Sequence, residues 1–156
     1  MSTAKKPSRP LREAEYTALA EFRYQVRKFQ RHMQEQVRRL GVNPQQYQLV
    51  LAVKGLPEGQ SPTIGALAER MQLNHNSTVE LVDRCERRGL LRRDRAGQDR
   101  RQVILSITGR GENLLRKLGS TARGELLGSG PSLVDAVQQL TLGSTNNHRG
   151  RASKKS

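Results

Sequence analysis

The sequence predicts a mainly α-helical domain carrying one small β-hairpin, and three observations lead to that expectation. Long stretches place apolar residues three and four apart, the spacing of one helix face. Asn, Thr, Pro and Gly stand at the edges of these stretches, where helix caps are needed. Between residues 90 and 107 the pattern changes to two short apolar runs flanking a charged loop with Gly at its tip, as in a hairpin.

The elements follow in order. Residues 1–11 are rich in Lys, Pro and Ser and are expected to be a disordered basic tail. Residues 11–40 contain neither Pro nor Gly. Leu19, Phe22, Val26, Phe29, Met33 and Leu40 lay one apolar stripe along a long helix, interrupted at Gln36. Both Phe residues of the chain lie in this stripe, which suits either an ordinary core face or packing against a second subunit. Gly41 ends the helix, and Asn43-Pro44 opens another as a cap followed by Pro at the first helical position. Tyr47, Leu49, Val50, Leu51 and Val53 make that helix strongly apolar, and residues 55–61 form a loop. Pro62 opens a short helix over 62–71, with Ile64, Leu67, Ala68 and Met71 as its inner face. A tight turn over 72–75 leads into a helix that starts at 76 or 77 and runs to 88, with Gly89 as its C-cap. Thr78, Leu81, Val82 and Cys85 are its inward set. Residues 90–93 and 103–107 form the two strands, joined by the charged loop 94–100. Thr108 caps a further helix with Leu114, Leu115 and Leu118 inside. A last helical stretch over 133–142 follows an interruption at 128–131, and residues 143–156 are a second disordered basic tail.

Bulk composition narrows the partners. Of the 156 residues only 34% are hydrophobic and 3% aromatic, with no Trp, so a core shared between two subunits is plausible. The formal net charge is +14, from 28 Lys and Arg against 14 Asp and Glu. Lys5, Lys6, Arg9, Arg12, Arg149, Arg151, Lys154 and Lys155 put +8 in the two acid-free tails, and residues 13–142 keep +6. A positive body favours a polyanion, either nucleic acid or an anionic membrane. No run approaches the roughly 20 apolar residues of a membrane span, and the basic N-terminus leads into no apolar segment of a secretory signal, so no membrane partner is expected. The single Cys85 cannot form an intramolecular disulfide, which fits a reducing, cytoplasmic setting. There is no CxxC pair, HExxH or phosphate-cradling Gly loop, and His32 and His148 stand far apart. No catalytic residues, metal site or cofactor are therefore expected, and an enzyme reading has no positive support.

A short helix, tight turn, amphipathic helix and charged hairpin together make a winged helix-turn-helix. The turn sets two helices at a steep angle, so that the second can enter the major groove, about 12 Å wide, and present its outer face to base edges. The hairpin then projects as a wing whose Arg residues reach the backbone or a minor groove. Eight Arg (84, 87, 88, 92, 93, 95, 100 and 101) face only Glu86, Asp94 and Asp99 within residues 84–101. A solvated face explains some of Arg87, Arg88, Arg92 and Arg93, but the cluster as a whole points to nucleic acid.

Three segments carry a family resemblance. PTIGALAERM (62–71), LVDRCERRGLL (81–91), and Asp99-Arg100-Arg101 followed by Ile107-Thr108-Gly109-Arg110-Gly111 resemble the MarR (multiple antibiotic resistance regulator) family. That family's wing signature is D-R-R, about five residues, then L-T-x-x-G, and here Ile107 replaces Leu. The resemblance covers residues 15–142 and implies a transcription factor, most often a repressor. It implies a homodimer joined by N- and C-terminal helices (12–40 and 110–142), with a DNA-binding lobe at 44–107, sitting on a pseudo-palindromic operator. A small-molecule effector, bound between the DNA-binding and dimerisation regions, is also implied; Tyr24, Tyr47, Arg23 and Arg27 are candidates for its pocket. By position, Asn76, Ser77, Val79, Glu80 and Arg84 would face DNA, Arg95, Arg100 and Arg101 would serve the wing, and Asp99 would hold the wing loop.

Two residues depart from the pattern. Glu80 stands where many relatives have Arg. It can accept a hydrogen bond from cytosine N4, or pair with Arg84 at i, i+4, and the pairing is the favoured reading. Cys85 stands where Leu is usual, and its inward position favours a small buried hydrophobe over a redox sensor. His75 either contacts a phosphate or closes the turn. Two rival functions accompany the specific regulator: a non-specific DNA-associating winged-helix protein driven by its basic tails, and an interaction module whose Arg cluster binds an acidic partner.

Overall fold

The computed structural model describes residues 9–95 and 102–142, in the order α1 (Glu13–Arg39), α2 (Pro44–Lys54), α3 (Ile64–Met71), α4 (His75–Arg87), β1 (Leu91–Arg95), β2 (Val103–Ile107) and α5 (Gly109–Leu142). The chain divides into two compact units, residues 32–123 and residues 1–31 with 124–156.

In the unit 32–123, caps set the helix boundaries. Asn43 accepts from Gln45 N at 2.9 Å, and the Gln46 side chain accepts from Asn43 N at 3.2 Å, a reciprocal box that starts α2 at Pro44 as expected. The next start differs from the expectation at Pro62. Thr63 is the cap of α3, its hydroxyl accepting from Ala66 N at 3.2 Å. The Pro62 carbonyl accepts instead from Leu105 N at 2.9 Å, and Thr63 bridges Ile104, so this stretch runs beside β2 before the helix begins. The turn into α4 is shorter than the sequence suggested. Gln72 takes the left-handed conformation (φ 53°), and Asn74 caps α4 by accepting from Ser77 N at 2.8 Å, so the helix begins at His75.

At the other end of α4, Gly89 has φ 66°, and Leu90 N returns to Cys85 O at 2.9 Å. β1 and β2 pair antiparallel from Leu91↔Ile107 to Arg95↔Val103. β1 therefore takes in Asp94 and Arg95, which the sequence had assigned to the loop. Arg92 Nε donates to Ser106 Oγ at 2.9 Å, and Ser106 in turn donates to Asp94, so a cross-strand chain extends the ladder.

Thr108 opens α5: its Oγ1 accepts from Gly111 N at 3.1 Å and donates to Gly89 O at 2.5 Å. A Cβ on Gly111 would lie 2.7 Å from Ile107 Cγ2 and closer still to the Leu90 carbonyl oxygen, so the close approach requires glycine here. The buried core collects Val37, Leu49, Val50, Leu67, Leu81, Val82, Leu90, Leu91, Leu105 and Leu118. The expected inward set of α4 (Thr78, Leu81, Val82 and Cys85) is wholly buried.

The unit formed by residues 1–31 and 124–156 contains the first part of α1 and the last part of α5. Glu15 is buried at the start of α1, accepting from Arg12 N at 2.8 Å and from Arg9 Nη2 at 2.5 Å. Most of the apolar stripe of α1 is not enclosed: Leu19 is exposed and Phe22, Val26 and Phe29 are half-buried. The break expected at 128–131 is absent, because α5 is one helix of 34 residues with Pro131 inside it. Proline removes a single donor, the one that would reach the carbonyl of Leu127. That residue is 73% exposed, so water can supply the missing bond.

Candidate nucleic-acid interface

At about 100° per residue, the buried stripe of α4 leaves Asn76, Glu80, Asp83 and Arg87 on the opposite side of the helix. Asn76, Glu80, Arg84 and Arg87 are exposed, and Ser77, Val79 and Asp83 are half-buried. The caps explain why this face is free: Asn74 satisfies the first turn and the return at Gly89 satisfies the last, so no outward side chain is spent on either end.

Each site residue inferred from the sequence now has a position, within the described residues. His75 is the first residue of α4 and exposed. It does not close the turn, which Asn74 and the left-handed Gln72 do instead. Ser77 donates its backbone N–H to the cap and flanks the outward face, and Val79 sits half-buried on the other flank. Glu80 and Arg84 form no ion pair or hydrogen bond with each other, which corrects the favoured reading of their i, i+4 spacing. An exposed pair gains little in high dielectric and loses side-chain freedom, so spacing alone does not bring the two together. Arg95 is exposed at the end of β1. Asp99, Arg100 and Arg101 lie outside the described residues.

The structure also sorts the arginines. Arg93 donates to Asp83 at 2.6 Å and to Glu86, and its own backbone N–H donates to Glu86 at 3.0 Å, tying β1 to α4. Burial works to lower the Arg93 pKa, but the hydrogen bond to Asp83 and the charges of Glu86 and Asp83 leave it raised. Arg92 is engaged with Ser106 and Asp94, and the hydrogen bond from Ser106, with help from Arg92, holds the Asp94 carboxyl below its usual range. Arg88 donates to Gly41 O. Arg84, Arg87 and Arg95 form no ion pair among the described residues and remain available to a polyanion. Arg87 entered the sequence analysis only as part of the Arg cluster, with a solvated face as its alternative, and not as an individual contact. Its signal was present: it lies seven residues from Glu80 and eleven from Asn76, on the same helix face.

Cys85 is fully buried, and desolvation pushes its thiol up to about 12 despite the nearby Arg84 charge. An open cavity of about 270 Å³ is lined by Leu40, Val42, Leu90, Arg110, Asn113, Leu114 and Lys117, and includes none of the four expected effector residues. Tyr47 is buried in the core. Among the described residues no group of three or more His, Cys, Asp or Glu could hold a metal ion, and no helix is long and apolar enough to cross a membrane.

A capped two-helix unit followed at once by an antiparallel hairpin defines a winged helix-turn-helix protein. Residues 40–102, under half of the chain, match the sequence model of the MarR family. It is 29% identical over 94 residues to the organic hydroperoxide resistance transcriptional regulator of Bacillus subtilis, covering 60% of this chain and 63% of that protein. It is 31% identical over 85 residues to the HTH-type transcriptional repressor MdtR of the same organism, covering 54% of this chain and 53% of the relative. The match thus spans less than two thirds of either relative's length. Among solved structures, AbsC, a MarR family transcriptional regulator from Streptomyces coelicolor, superposes with a TM-score of 0.66 at 17% identity, over 92% of this chain and all of that one. A MepR–DNA complex from Staphylococcus aureus superposes with a TM-score of 0.62 at 16% identity, covering 81% of this chain and 91% of MepR. At such identities the structural likeness concerns the fold.

Proposed function

We propose that this protein is a cytoplasmic, sequence-specific regulator of transcription, acting as a homodimer on a pseudo-palindromic duplex and working by binding rather than by catalysis. The observation that carries this reading is the outward face of α4, where Asn76, Glu80, Arg84 and Arg87 are exposed and neither arginine forms an ion pair among the described residues. The proposed contacts are His75, Asn76, Ser77, Val79, Glu80, Arg84 and Arg87 on α4, with Arg95, Arg100 and Arg101 from the wing and Asp99 holding its loop. Backbone contacts from the cations fix register, and the shorter polar side chains near the start of the helix read bases.

Dimerisation through helices 12–40 and 110–142, leaving 44–107 as the DNA-reading lobe, is supported by apolar residues left exposed on α1 and α5: Tyr16, Leu19 and Tyr24 on the first, Leu126, Leu127, Val134 and Val137 on the second. Repression is the proposed sense of regulation, in line with MdtR, a transcriptional repressor. Effector binding is part of the proposal without a named ligand.

The test is fluorescence-anisotropy binding of the full chain to duplexes from its own promoter region and to a scrambled duplex, at about 150 mM salt. A preference of about a thousandfold is expected of a specific regulator. Arg84→Ala and Arg87→Ala should each weaken binding with unchanged thermal unfolding. Equal, steeply salt-dependent binding of all duplexes would favour the non-specific reading, and absence of duplex binding would favour the interaction module.

A further inference from the structure

Three carboxylates lie on α4, and they have different fates. Asp83 and Glu86 both hold Arg93. Glu80 has neither a hydrogen bond nor an ion pair among the described residues, although Arg84 lies one turn away. It is exposed, and it sits opposite the buried stripe Thr78, Leu81, Val82 and Cys85. Among the described residues Glu80 therefore neither packs nor pairs, and a bare negative charge on this face opposes the approach of a polyanion. A carboxylate there is compatible with tight binding only where the partner offers it a donor.

The major groove supplies such a donor selectively. Guanine presents O6 and N7, and thymine presents O4 beside a methyl group, so both offer a carboxylate nothing but acceptors or apolar surface. Adenine offers its N6 amino group, but the adjacent N7 lone pair repels the second carboxylate oxygen. Cytosine offers its N4 amino group beside a C5–H edge that does not repel. We infer that Glu80 is a specificity-determining residue that selects cytosine, accepting a hydrogen bond from its N4 amino group at one position of each half-site. This inference rests on the reading of α4 as the DNA-facing helix. The neighbouring Arg84 and Arg87 supply attraction to any duplex, and Glu80 makes that attraction conditional on sequence.

The full-length protein and its Glu80→Gln and Glu80→Ala variants should be tested against a pool of randomised duplexes, with sequencing of the bound fraction. Thermal unfolding of each variant checks the fold, which an exposed residue without partners should leave unchanged. The natural chain should enrich cytosine over thymine by about tenfold at one position per half-site, the discrimination typical of a base-edge contact. Glu80→Gln should shift that position towards adenine, whose N6 and N7 suit an amide. Glu80→Ala should be indifferent there and should bind duplexes lacking the cytosine at least as tightly as the natural chain does. All other positions should keep their preferences. Identical preferences for the three proteins at every position would overturn the role of Glu80 while leaving the DNA-binding reading intact. Failure of the natural chain to bind any duplex would overturn that reading, and this inference with it.

Discussion

At the scale of single residues, two positions show how close packing constrains chemistry. Gly111 lies against the Leu90 carbonyl and the Ile107 side chain, where a Cβ has no room, and its N–H donates to Thr108. Gly111→Ala should therefore destabilise the unit 32–123 by about 1–3 kcal/mol, the range of an overpacked core contact, measured by urea unfolding. An unchanged midpoint would mean that the start of α5 can shift without cost. Cys85 is buried with its thiol pushed up to about 12, so almost no thiolate exists at neutral pH. Native protein at pH 8 should react with iodoacetamide far more slowly than unfolded protein. Rapid labelling of the native chain would contradict the buried, inert assignment.

At the scale of elements, the start of α1 carries a pH dependence. Hydrogen bonds from the Arg9 side chain and the Arg12 backbone pull the Glu15 pKa from 4.5 down to about 2, against the desolvation that would raise it. A carboxyl depressed in the folded state contributes stability that is fully present above its unfolded pKa and lost as the pH falls through the folded one. The first turn of α1 should therefore hold above about pH 4.5 and loosen progressively towards pH 2. Arg9→Ala should move the Glu15 titration, followed by NMR of its side-chain carboxyl, to higher pH. An unmoved titration would assign the shift to Arg12, through its backbone and side chain, rather than to Arg9. Another link between elements is Arg93, which bonds two carboxylates of α4 from β1 and so relates the wing to the helix it accompanies.

At the scale of the whole molecule, the distribution of apolar surface bears on assembly. In the unit of residues 1–31 and 124–156, Tyr16, Leu19, Tyr24, Leu126, Leu127, Val134 and Val137 are exposed. Leu127 and Val134 stand seven residues apart, on one side of α5. Carboxylates there cost little in an exposed helix and much inside an apolar interface. Leu127→Glu combined with Val134→Glu should convert a dimer to a monomer in sedimentation velocity, with helix content largely kept. A natural chain that sediments as a monomer at micromolar concentration would remove the homodimer from the proposal.

Periodicity and capping residues, which act within a few neighbours of each other, determined most of the fold directly from sequence. The inward set of α4, the Asn43-Pro44 start of α2 and the strand at 103–107 all follow from local spacing, and each appears as expected. Boundaries that depend on distant partners did not. Thr63 rather than Pro62 precedes α3 because the Pro62 carbonyl is taken by Leu105, 43 residues on. α5 continues through Pro131 because a single lost hydrogen bond on an exposed face is tolerable, which composition alone cannot reveal. For the candidate interface, sequence placed the Arg excess at residues 84–101, but only tertiary structure decided which cations are occupied. Arg88, Arg92 and Arg93 are engaged by Gly41, Ser106 with Asp94, and Asp83 with Glu86, whereas Arg84, Arg87 and Arg95 form no ion pairs among the described residues. Charge is written in the residue type, but its availability depends on which groups the folded chain brings within reach.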